Sequence, residues 1–506
     1  MESCVPFGDE GCRSGWRRLT GVLAVASALL LGWATPAHAA TFVVRNTADS
    51  GHGSLRDAIT RADANSRANT ITFGVSGTIT LASSLPAVTG DLVVAGPGPG
   101  AITIDGDHRV QVWSVAPAAK LWLGGVTIAD GNAPTRKAVG GIENAGSLIV
   151  SGVAFAGNTG QNAGAAIENL GTAVISNSTL TRNDADVGGA IFNAPSATLT
   201  MSRVTLARNN GLVGSGWSAG AIANSGTLSI ANSSFRGNNA GDYGTGGIWN
   251  TRHATLQITN TRFAGNLQIY GDGGESAITN GGGSVTIDHS SFVGNASNWG
   301  DTIRSVGTIS VSDSSFLGNF GTGVENDGGT LQVTGSTFWK NDTEITETGG
   351  IANYGRATVV NSTFFGLSVN IGGLPISNSG QMRVTASTID RSMIENDGTL
   401  ILQGSIVDAR CAGRVADAGY NLDARSSCHF TAPGSISDTD PMLQRIAYNG
   451  GPTPTMAIPA SSPAVDAIPP GAISCGTTLI QDQRGVSRPQ GGGCDIGAYE
   501  LGAALR

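Results

Sequence analysis

The sequence predicts an all-β protein wound as a right-handed parallel β-helix of about 13 coils. Three observations carry this. A short motif returns about every 25 residues, apolar residues alternate with period two between its copies, and 75 glycines are too many for a helix bundle. The motif is Ile-x-Asn, beginning at residues 142, 167, 191, 222, 248, 278, 351, 376 and 394. Val324 opens one further copy, and the copy at Ile303 has Ser305 in place of Asn.

Each unit then repeats one order. A glycine is followed by an alternating pair such as Leu228-x-Ile230, Ile309-x-Val311 or Leu331-x-Val333. A Ser-x-Phe pair comes next, as in Ser233-x-Phe235, Ser290-x-Phe292, Ser314-x-Phe316 and Ser336-x-Phe338. An asparagine closes the unit three residues after the Phe, as at Asn238, Asn266, Asn295 and Asn319. Alternation in short runs broken by Gly and Asn predicts about three short strands per unit. Such strands cannot bury a face alone, so they are expected to stack coil on coil at ~4.8 Å per step. Phe235, Phe263, Phe292, Phe316 and Phe338 should then form one internal column. The recurrent Asn and Gly suit left-handed corners, with an asparagine hydrogen-bond ladder as a further expectation. The Asn-x-Ser/Thr triplets at Asn177 and Asn361 fall on this pattern and read as packing, not glycosylation sites.

The ends differ from the repeat. Residues 1–39 have the arginines Arg13, Arg17 and Arg18, an apolar run from Leu19 to Trp33 and Ala37-His38-Ala39, which predicts a cleaved secretion signal and a secreted protein. No later segment has the length of a membrane span. Residues 40–70 are expected to cap the first coil, because Ser54-Leu55-Arg56-Asp57 opens a short helix with Leu55, Ala58, Ile59 and Ala62 on one face. Residues 71–410 form the solenoid and residues 411–506 a separate C-terminal region. Cys411, Cys428, Cys475 and Cys494 lie in that last region, and in an exported chain they read as two local disulfides, 411–428 and 475–494, that seal the far end. Each closes a loop worth ~3 kcal/mol. No CxxC or paired His supports zinc, and no metal site is assigned.

These residues carry a resemblance to secreted β-helix families. The alternating Gly-Gly-x-Ile and Phe-x-x-Asn copies resemble the repeats of polymorphic outer-membrane proteins, which are surface adhesins. GSLRDAI at 53 resembles the N-terminal CSLREAI motif, with Gly53 in place of its Cys. DPML at 440, NGGPTPT at 449, SPAVDA at 462, DQRGVSRP at 482 and CDIGAYE at 494 resemble the choice-of-anchor Q domain. The resemblance covers nearly all of the chain after residue 39. It implies export, the β-helix fold and surface binding, and no specific activity. It departs at the C-terminus: no membrane barrel follows the repeats, and only residues 501–506 follow the last motif.

The net charge of −8 and the absence of a basic run argue against a nucleic-acid partner. There is no Walker A, calcium-binding nonapeptide or nucleophile elbow, and His108, His253, His289 and His429 are scattered without metal spacing. No catalytic residue is assigned. The arginines Arg208, Arg236 and Arg262 near the Phe positions read as solvated corners. The spacing from Phe to the next Ile-x-Asn varies far more than the spacing within the unit, so insertions should emerge on one edge, where repeat proteins place a binding face. That edge offers Trp217, Asp242, Tyr243, Tyr270, Asp272, Trp299 and Asp301, aromatic rings beside acids, which suit a glycan and would also admit Ca²⁺. The expected function is non-catalytic binding of a polysaccharide or cell-surface ligand. The alternative is a polysaccharide lyase or glycoside hydrolase on the same fold.

Overall fold

The computed structural model describes residues 40–64, 68–132, 139–161, 164–211, 218–241, 243–268, 274–297, 300–341, 348–366 and 373–502. The expected signal lies outside them. The chain is a parallel β-solenoid of about 12 turns, close to the 13 expected. A regular turn holds a three-residue strand (Ile248–Asn250), a five-residue strand (Thr255–Thr259) and a second three-residue strand (Arg262–Ala264). Each pairs in parallel with its counterparts in the neighbouring turns. The Ile-x-Asn copies stack in register, and the Ile303–Ser305 copy keeps its place, its serine hydroxyl accepting from Asn280 at 3.0 Å.

Inside, the expected phenylalanine column is present and continues to Phe364. Successive ring centroids from Phe235 onward lie 4.5, 4.9, 4.8, 4.7 and 4.9 Å apart, with nearly parallel planes. Toward the N-terminus the same position passes to Leu206, Leu180 and Phe155.

Two columns of asparagine run beside the core. From Asn158 to Asn341, each amide donates to the next side-chain oxygen at 2.9 Å, and each backbone N–H donates to that same oxygen. The Ile-x-Asn residues form the other column. These buried asparagines are not themselves the left-handed corners. The corner falls one residue earlier, at Arg182, Arg208 and Gly237, and the asparagine side chain satisfies the amides that the corner leaves unpaired. The buried serines form a third ladder, in which the hydroxyls of Ser290, Ser314 and Ser336 each accept a backbone N–H from the preceding coil.

The second corner of each coil precedes this serine. Asn177, Asn232, Asn260, His289 and Asn361 all have positive φ there, and His108, His253 and His429 occupy similar corners elsewhere. Asn and His tolerate that region better than most residues, which gives the scattered histidines a structural role. Asn177 is exposed, so its triplet is a corner with a buried Ser178 and not the packed side chain expected. Asn361 is buried and donates to the carbonyl of Gln481 in the C-terminal tail.

Helix α1 (Leu55–Asp63) caps the first coil as expected. Ser54 accepts from the Asp57 amide at 3.1 Å, Asp57 accepts from the Gly53 amide, and Leu55, Ala58, Ile59 and Ala62 join the main core. At the other end parallel pairing continues to Ser437. Both expected disulfides are present. Cys428 and Phe430 close the main core. The Cys475–Cys494 bridge lies elsewhere, in a smaller core formed by the tail itself.

The tail folds back along the flank of the solenoid. Gln483 donates to the Thr337 hydroxyl at 2.8 Å and accepts from Thr363 at 2.6 Å, while the Ala498 amide donates to Thr388. The charged residues of DQRGVSRP and CDIGAYE meet in its interior. Arg488 and Glu500 pair at 3.3 Å with both side chains fully buried, and Asp482 accepts from Arg484 and from the Glu500 amide. Buried ions need partners of this kind, and each of these charges finds an opposite charge or a backbone donor or acceptor inside the tail.

Candidate functional site

GNNAGDYGTGGIWN at residue 237 shows how the insertions are held. Asn238 is in the buried ladder, Asn239–Ala240 is a short strand paired on both sides, and Ile248–Asn250 starts the next coil. Gly247 is forced by close approach, because a Cβ there would lie 2.2 Å from the carbonyl oxygen of Ala277. The segment is thus a loop pinned at both ends. Between Asn132 and Leu374 the largest differences in length fall between the Phe-x-x-Asn corner and the next Ile-x-Asn strand, so the described residues that flank these segments lie along one edge.

The strip at the foot of these loops is the middle residue of each Ile-x-Asn strand, which points away from the main core, although Ala223, Trp249 and Thr279 are buried there. By register it runs Glu143, Glu168, Phe192, Ala223, Trp249, Thr279, Arg304, Glu325, a length of roughly 35 Å. Phe192, Ala223 and Trp249 form a small apolar cluster separate from the core. Acids flank it on both sides. Burial, then repulsion from Glu143, raises the Glu168 carboxyl to about 7.

Beyond Thr279 lie three carboxyl groups from three successive coils. Glu275 is buried and accepts from the Thr279 hydroxyl. Arg304 holds Glu325 at 3.2 Å and Asp327 at 2.6 Å, and approaches Glu275 at 3.9 Å. Asp301 is only 3% exposed, and its Oδ1 is buried without a hydrogen-bond partner among the described residues. Burial holds its carboxyl well above the usual range, and hydrogen-bonded contact with the negative Glu325 pushes it further up. Two carboxyls in contact share one proton. Glu275 is also raised, first by burial. Tyr354 projects into solvent nearby, its hydroxyl raised by burial and by the charges of Glu325 and Asp301.

Of the residues the sequence put forward, Trp217, Asp242, Tyr270, Asp272 and Trp299 lie outside the described residues. Tyr243 is exposed at a left-handed corner. Asp301 differs from expectation, since it is buried against Glu325 and not displayed to solvent. Glu275, Arg304 and Glu325 were not singled out from the sequence. The available signal was a charged middle residue in an otherwise neutral Ile-x-Asn motif. The cluster suits Ca²⁺ poorly, because Arg304 and the shared proton already supply positive charge. The described residues that do bring ligand atoms within 4.8 Å are Asp288, His289 and Asp313, on an exposed corner away from the loops.

No protein-family model matches the chain, and no curated protein matches it. Among solved structures, tailspike protein 3 of bacteriophage CBA120 is 12% identical, with a TM-score of 0.45. The match covers 79% of this chain and 64% of the tailspike. The catalytic unit of an alpha-1,3-glucanase from Streptomyces thermodiastaticus is 13% identical over 78% of this chain and 71% of its own, with a TM-score of 0.38. A pectate lyase is 14% identical over 91% and 96%, with a TM-score of 0.25. The likeness at this level is one of solenoid architecture.

Proposed function

We propose that this is an exported protein that binds a polysaccharide along its loop-bearing edge. The observation that carries the reading is the strip itself. The partly exposed ring of Phe192 and the buried ring of Trp249 lie in line with a cluster of carboxyls, and Asp301 among them is buried with an oxygen that has no hydrogen-bond partner among the described residues. Rings stack on sugar faces, carboxylates accept from sugar hydroxyls, and a strip several coils long fits a polymer better than a small molecule. The reading includes the N-terminal secretion signal, a location outside the cell, a choice-of-anchor Q-like tail and no nucleic-acid partner. A second reading has one specific support. Glu275, Asp301 and Glu325 bring carboxyls from three successive coils to one strip, and glycosidic hydrolysis uses a pair of carboxyl groups set ~5 Å or more apart across the bond that it cuts.

The test is retention of the protein on immobilised cellulose, xylan, chitin, pectin and alginate in high salt, where charge alone holds little. New reducing or unsaturated ends are scored in the same samples. Retention without new ends is the expected outcome. New ends would favour the hydrolytic reading, and neither retention nor new ends on any chain would overturn both.

A further inference from the structure

A second surface carries the opposite charge. On the corner that leads into the Phe strand, a groove of about 470 Å³ is lined by Arg203, Arg236, Arg262 and His289 with serine, threonine and asparagine side chains between them. No carboxylate lines it, in a protein of net charge −8. The three arginines come from three successive coils and from different register positions, Arg262 level with Ser234, Arg236 level with Ala207 and Arg203 at the preceding corner, so their charges are spread across the groove as well as along it. All three are exposed, and among the described residues none of them has a carboxylate partner. Arg203 donates only to Asn177 at 2.7 Å, and Arg236 only to the Ser234 hydroxyl at 2.7 Å. Asp288 and Asp313 stand at one rim, where they are engaged with His289.

The backbone gives an independent sign. Arg203 has φ +55 at a corner where the neighbouring coils place Asn177 and Asn232. A long side chain is strained in the left-handed region, which Asn tolerates better. Strain of this kind is kept where the side chain is needed. The same strand column, continued past Ser291, is where the solenoid already receives a further segment of its own chain: the tail docks on Thr337, Thr363 and Thr388.

We infer that this groove binds an anionic polysaccharide, whose carboxylate or sulfate groups pair with Arg203, Arg236 and Arg262 while its hydroxyls meet the Ser, Thr and Asn side chains. Guanidinium groups suit both anions through paired N–H donors. The groove has no aromatic lining, which a single-stranded nucleic acid would use for stacking. This site is separate from the loop-bearing strip and stands whether or not that strip binds.

The test measures binding of soluble alginate, dextran sulfate, unmodified dextran and single-stranded DNA to the full chain at low and at physiological salt. The comparison variant carries Arg203→Asn, Arg236→Gln and Arg262→Gln, and Arg383→Gln serves as a control on another face. Alginate or dextran sulfate should bind in a salt-dependent way and dextran should not. The triple variant should bind roughly tenfold more weakly or worse with an unchanged or higher melting temperature, and Arg383→Gln should bind like the parent. Failure of both polyanions to bind at low salt, equal binding by the triple variant, or DNA binding as tight as the best polyanion would each overturn the inference. Binding only by the sulfated chain or only by the uronate assigns the anion.

Discussion

Phe292→Ala is expected to cost ~3–5 kcal/mol, the upper range for a large-to-small change in a core. Phe292 has no exposed surface and is stacked on both faces, 4.9 Å from Phe263 and 4.8 Å from Phe316. Collapse into the space is blocked, because parallel pairing holds residues 262–264 and 315–317 in place on either side. The cavity stays open, and its walls lose contacts without replacement. Urea or thermal unfolding measures the loss. A variant that melts like the parent would mean that the column is not the core of the solenoid.

Asn266→Leu is expected to do comparable damage although it adds apolar volume. Asn266 Oδ1 accepts from the amide and the side chain of Asn238, at 3.1 and 2.9 Å. Its Nδ2 donates to the Phe235 carbonyl at 3.1 Å and to Asn295 at 2.9 Å. Leucine would orphan these groups inside the protein at roughly 1–3 kcal/mol each, with neighbouring losses short of additive. Coil-on-coil stacking should make the loss local, so hydrogen exchange is expected to rise first in the turns that carry Asn238 and Asn295. Unaltered stability and exchange would show that the ladder contributes nothing.

The columns were legible because each is a single residue type returning at a fixed phase. Ile278, Asn280 and Phe292 occupy the positions that period two and the 25-residue repeat assign to them. The buried Ser290 was visible as a repeat position, but its work as an acceptor for the Thr261 amide needs three dimensions. The corners were misplaced by one residue because the conserved phase belongs to the ladder asparagine, while the corner itself varies among Arg, Gly and Lys. The carboxyl cluster was hidden for a different reason. Glu275, Asp301 and Glu325 come from separate coils and from unlike local contexts, two near loop ends and one in mid-strand. The folded-back tail was equally hidden, since Gln483 meets Thr337 across most of the C-terminal third of the chain.

The central claim is that the acids at the foot of the loops are kept for a ligand and not for the fold. Asp301→Asn tests it with one variant and two readouts, the melting temperature across pH and retention on the polysaccharide that holds the parent. The folded-state proton affinity of Asp301 is raised, so its contribution to stability is fully present below the usual carboxylate range and is lost as pH rises through the folded value. An amide keeps the shape without that loss. The variant should therefore match the parent in acid, melt a few degrees higher near neutral pH, and lose retention. A variant that melts lower at neutral pH, or one that is retained as well as the parent, would contradict the claim.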